Sequence, residues 1–129
     1  MNHVTIDSVL AGIRRRNPRY AEAAYLFILS ALHCRLTRLE APRHVSGPEV
    51  ADAVRQLALE RFGPLARTVL EHWGVRSTAD MGEIVFALVE CGVLIKQPDD
   101  SREDFEGLFT FEQAFERHYP WGRAEPTGP

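Results

Sequence analysis

Ser77-Thr78-Ala79-Asp80-Met81-Gly82-Glu83-Ile84-Val85-Phe86-Ala87-Leu88-Val89-Glu90-Cys91-Gly92-Val93-Leu94-Ile95-Lys96-Gln97, with its continuation to Phe111, is the stretch whose reading decides the fold. Ser77 and Asp80 have the spacing of a helix-capping pair, and Ile84, Val85, Leu88 and Val89 recur at helical spacing toward a core. Gly92 is a helix stop, after which Val93-Leu94-Ile95 reads as a short strand. A charged loop, Pro98 to Glu106, leads to a second apolar run, Leu108-Phe109-Thr110-Phe111. Helix, strand, charged loop and strand in that order are the layout of the third helix and wing of a winged-helix domain. The expected fold is therefore mainly α (α+β), a helical domain of five or six helices with a short two-stranded β wing. The winged-helix-like segment is 47–111 within a single domain 1–119, and residues 120–129 are an aperiodic, flexible tail.

Upstream, Thr5 can cap a first helix through Arg16, where Asn17-Pro18 stops the pattern. A second helix runs from Pro18 to about Leu39 and is apolar on almost every face from Ala23 to Leu32. It is either central or covered by a second subunit. Ser46 and Glu49 form an S-x-x-E capping box for a third helix to about Phe62, and Gly63-Pro64 opens a fourth, ended by Gly74. Thr110 and Gln113 cap a last short helix that contains Ala114 and Phe115.

The 129 residues, 45% hydrophobic and 26% charged, suit an ordinary globular domain that needs no disulfide or metal staple. Cys34 and Cys91, far apart and within apolar runs, read as buried thiols. With no signal peptide and no apolar run near the roughly 20 residues that span a bilayer, a soluble cytoplasmic protein is expected. The net charge of −3 hides an asymmetry: residues 1–45 hold seven arginines and three carboxylates, the remainder eight Lys or Arg and fifteen carboxylates. The front is basic and the back acidic.

That asymmetry selects the candidate binding residues. Arg14, Arg15 and Arg16 suit the dipole at a helix C-terminus and could also hold an anion. Arg19 extends the same basic face. Arg43 and His44, just before a helix N-terminus, are either a functional patch for an anion or carboxylate or an anchor for their loop. On the fifth helix the outward residues would be Asp80, Glu83, Ala87 and Glu90, which repel phosphates, so DNA is not expected to bind there. His33, Cys34, His44, His72, Cys91 and His118 lack zinc-ligand spacing, so neither metal nor cofactor is expected. The only trio suited to nucleophilic catalysis is Ser46, His44 and Glu49 or Asp52, and there the capping box already occupies the serine hydroxyl.

The run from Tyr20 to Phe115 resembles a small uncharacterised bacterial protein family associated with planctomycetes and verrucomicrobia. The resemblance rests on Tyr20-Ala21, Ala24-Tyr25-Leu26-Phe27, Arg43-His44-Val45-Ser46-Gly47, Phe62-Gly63, Val69-Leu70 and Trp73-Gly74. It continues through Asp80, Gly82-Glu83-Ile84-Val85-Phe86, Asp100, Asp104-Phe105, Phe109, Phe111 and Phe115. Met81 stands where the family carries an aromatic residue. The resemblance implies a stand-alone cytoplasmic domain and brings no activity, cofactor or catalytic residue.

The residues point first to a non-enzymatic protein-interaction or adaptor module that binds another protein or itself as a homodimer. A nucleic-acid-associated transcriptional regulator that uses the basic N-terminal face is the alternative, and a small hydrolytic enzyme the third reading.

Overall fold

The computed structural model describes residues 6–16, 18–41 and 43–117, which hold five α-helices: α1 (Ile6–Arg16), α2 (Glu22–Thr37), α3 (Gly47–Phe62), α4 (Ala66–His72) and α5 (Thr78–Glu90). Two 3₁₀ turns, Gly63–Leu65 and Arg102–Phe105, and a π-helical turn, Glu112–Arg117, complete the order. Thr5, Pro42, His118 and the expected tail 120–129 lie outside the described residues, as do the side chains of Arg14 and Arg16.

Local chemistry places most of these boundaries. At the start of α3, Ser46 Oγ accepts from the Glu49 N–H at 3.3 Å while Glu49 Oε1 accepts from the Ser46 N–H at 2.9 Å, a complete capping box. Helix α4 ends in a Schellman motif, in which the Val75 N–H reaches the Leu70 carbonyl and the Gly74 N–H the Glu71 carbonyl. Gly74 has φ of +95°, and a Cβ there would lie 2.4 Å from the Arg19 carbonyl oxygen, so both conformation and space demand glycine. Helix α5 ends in the same way, with Val93 N–H bonded to Leu88 and Gly92 N–H to Val89. Helix α2 starts later than its composition suggests: Pro18 to Tyr20 form a turn, and the Ala21 N–H is tied to the Trp73 carbonyl at 3.0 Å.

The expected two-stranded wing is absent. Among the described residues there is no strand, so the winged-helix reading of segment 47–111 is overturned. Val93-Leu94-Ile95 follow a helix cap whose hydrogen bonds turn the chain back on α5, and the second run has other commitments. The Leu108 N–H donates to Thr78 Oγ1, and Thr110 exchanges hydrogen bonds with Gln113 to start the terminal turn. Helix-capping chemistry at Thr110 thus outcompetes β propensity in Leu108 to Phe111. The charged loop Pro98 to Glu106 also contributes to the core, because Phe105 is 3% exposed and buried there.

Helix α2 packs against α1, α3 and α5 and is central. Ala24, Tyr25, Phe27, Ile28 and Ala31 are buried, while Leu26 remains 40% exposed. Phe27 meets Phe62 and Trp73, each with ring centroids at 5.5 Å. On the other side, the Phe105 ring fills the gap between α3 and α5. A Cβ on Gly82 would lie 2.8 Å from Phe105 Cγ, and one on Gly47 would lie 3.2 Å from Phe105 Cε2. At Gly82 only glycine lets the ring sit so close, and at Gly47 a methyl would fit only tightly.

Tyr25 is fully buried, and among the described residues its hydroxyl finds no hydrogen-bond partner. An unmet buried hydroxyl is destabilising, so Tyr25→Phe should raise stability by about 1 kcal/mol. Chemical denaturation checks this, and a loss of stability would reveal a partner for the hydroxyl.

Cys34 and Cys91 are half-buried rather than fully buried. Among the described residues no helix is long and apolar enough to cross a membrane.

Candidate functional site: a groove at the C-terminal end of α2

Where α2 and α5 end, α3 begins and residues 93–105 cross between them, a cavity of about 320 Å³ opens to the surface. Its walls are Leu32 and Leu36 from α2, Val50 from α3, and Val85, Phe86 and Val89 from α5, with Val93, Leu94 and Ile95 above them. Helix α5 buries Ile84 and Leu88 as expected, but not Val85 and Val89. Met81, Ile84 and Leu88 form its buried stripe, which leaves Val85 and Val89 half-buried at the groove. Two apolar side chains at the mouth stay in solvent: Leu36 is 42% exposed and Ile95 is 87% exposed.

Charged side chains edge the mouth. Arg43 forms a forked pair with Glu49, at 3.0 and 2.7 Å, and also donates to the His44 carbonyl. His44 Nε2 lies 3.1 Å from Asp100 Oδ1, joining the approach to α3 with the loop across the groove. Asp100 Oδ2 also accepts from the Gln97 N–H, and Lys96 Nζ donates to the carbonyls of Gln97 and Pro98. Arg43 and the Ser46 N–H together hold the Glu49 carboxyl at about 2, well below its ordinary 4.5. The capping box is therefore charged at neutral pH. It contributes stability above pH 4.5 that is lost as pH falls toward about 2. Glu49→Gln should flatten that part of an acid-unfolding profile, and Ser46→Ala should cost about 1 kcal/mol at neutral pH. An unchanged acid limb in Glu49→Gln would disprove the assignment.

Of the candidate residues, Arg43 and His44 stand at this groove and both serve as loop anchors. Arg15 and Arg19 do not join them. Arg15 lies beside Pro18 and Glu22, at the N-terminal end of α2, and the groove residues Leu32 and Leu36 stand roughly 15–21 Å further along that helix. Arg19 is committed to a cluster of its own, 3.0 Å from Asp80 and 3.2 Å from Glu83. Tyr20 Oη lies between the same two carboxylates, at 2.7 and 2.8 Å. Burial, followed by these acceptors, pushes the phenol pKa far up, so it stays protonated. Asp80 Oδ2 also accepts from the Arg76 N–H at 2.8 Å. Far from facing outward, Asp80 is 4% exposed, which corrects both its expected orientation and its expected place in a capping box. Ser77 Oγ still accepts from the Asp80 N–H, but the carboxylate turns inward.

The catalytic trio is not assembled by these contacts. Ser46 Oγ accepts from a backbone N–H, His44 faces Asp100, and Asp52 pairs with Arg35 and Arg55. Sequence reasoning missed Val85, Phe86, Val89, Ile95 and Asp100 as groove residues. The available signal was the breadth of the apolar face of α5, wider than one neighbouring helix can cover. No family model matches the chain, and neither does any curated protein or solved structure.

Proposed function

We propose that the protein is a non-enzymatic interaction module that holds an apolar anchor of a protein partner in the groove between α2, α5 and residues 93–105. The observation that carries this reading is an apolar cavity of about 320 Å³ with Leu36 and Ile95 exposed at its mouth. A cavity of roughly 150 Å³ lined by similar side chains accommodates benzene, so this one has room for a tryptophan or two aliphatic side chains. Apolar pockets ringed by polar groups are where interface anchors seat, and the burial of one large side chain supplies about 1.5–3 kcal/mol. The charged groups at the mouth engage one another, which suits a rim that orients a partner.

A phage-displayed peptide library selected on immobilised protein tests this. Selected peptides should share a large apolar anchor and lose binding to Val89→Trp, which fills the cavity. Equal enrichment on the filled variant would overturn the groove as the binding site.

A further inference from the structure

Ile95 is a large apolar side chain in solvent, and it stands at the edge of the cavity an apolar side chain would fill. From that juxtaposition we infer that the groove's partner is a second copy of this chain, with Ile95 of each copy seated in the other's cavity. The inference rests on the groove reading and names its occupant. A protrusion beside a recess on one surface is self-complementary: under two-fold symmetry each protrusion reaches the partner's recess, and the contact closes without leading to a filament.

The charges point the same way. Arg43 and Lys96 share the mouth with Asp100 and Asp104. The two signs are interleaved there, Arg43 on Glu49 and Lys96 on the same loop as Asp100, so a partner of a single sign meets attraction and repulsion together. Another copy brings both signs, and a two-fold turn can set the cations of one rim against the carboxylates of the next. Leu36, also exposed at the mouth, would be covered in the same contact.

Sedimentation velocity of the full chain, from about 1 µM to 1 mM, tests the inference across the range a contact of this kind spans. The expected result is a species of twice the 14.6 kDa chain mass that grows with concentration. Ile95→Asp should weaken it at least about a hundredfold, since two buried apolar side chains are lost from each dimer. Because Ile95 is so exposed in the single chain, Ile95→Asp and Ile95→Ser should melt like the parent at concentrations low enough for the parent to be monomeric. Val89→Trp blocks the recess and should also give monomers. Mixing it with Ile95→Asp should restore part of the association, because one protrusion and one open recess remain in the mixed pair.

A monomer at every concentration overturns the inference, and continued selection of anchored peptides would then leave the groove reading standing. A dimer unchanged by Ile95→Asp overturns it too and transfers self-association to another face, with the half-exposed Leu26 of α2 as the first to test. Loss of dimer in both single variants with no recovery on mixing also counts against reciprocal seating.

Discussion

Phe105→Ala should destabilise the protein by about 3–5 kcal/mol, the largest single-residue effect expected. The ring is 3% exposed and wedged between Gly47 on α3 and Gly82 on α5, with backbone on both sides that cannot follow it inward. Its removal leaves a void and releases the segment that carries Asp100 across the groove. Gly82→Ala approaches the same contact from the other side: a methyl 2.8 Å from Phe105 must displace the ring, at a cost of about 1–3 kcal/mol. The two changes share one space, so the double variant should be less destabilised than the sum of the singles. Denaturant titration of the four proteins checks this, and a midpoint for Phe105→Ala close to that of the parent would show that the ring is not a wedge.

The second large effect is expected at Asp80. Asp80→Ala should cost about 3 kcal/mol, because it strips a buried acceptor from Arg19, Tyr20 and the Arg76 N–H together. Glu83 shares two of those partners, but its side chain is 43% exposed, so Glu83→Ala should cost less than about 1 kcal/mol. Thermal melts of both variants test the contrast, and equal losses would make the cluster a surface ion pair rather than a buried hub.

Asp80 also shows why part of this molecule could be read in the sequence and part could not. Signals confined to a few residues were legible. Ser46 with Glu49, Thr110 with Gln113, and the glycines after α4 and α5 act within five or six positions of one another, and each ends or begins a helix where expected. Two features depend on distant partners. Asp80 looks like a solvent-facing N-terminal acid until Arg19 and Tyr20 arrive from about 60 residues earlier. Val93-Leu94-Ile95 looks like a strand until no second strand is found among the described residues. The groove was half legible. Arg43 and His44 stand out in the sequence as either a patch or a loop anchor, and their contacts are those of an anchor; that Val85 and Val89 line an opening instead of the core depends on where residues 93–105 cross, which no local pattern encodes.

The tie between Tyr20 and Asp80 also has a consequence for how the chain reaches its fold. Helix α2 packs chiefly against α3, its neighbour in sequence, so those contacts can form early with little loss of chain entropy. Bringing Tyr20 onto Asp80 closes a loop of 60 residues, a slower and entropically costlier event. The tie between the N-terminal end of α2 and the start of α5 is then a late clasp on helices already in contact. Weakening it at Asp80 should hasten unfolding while folding proceeds at nearly its normal rate.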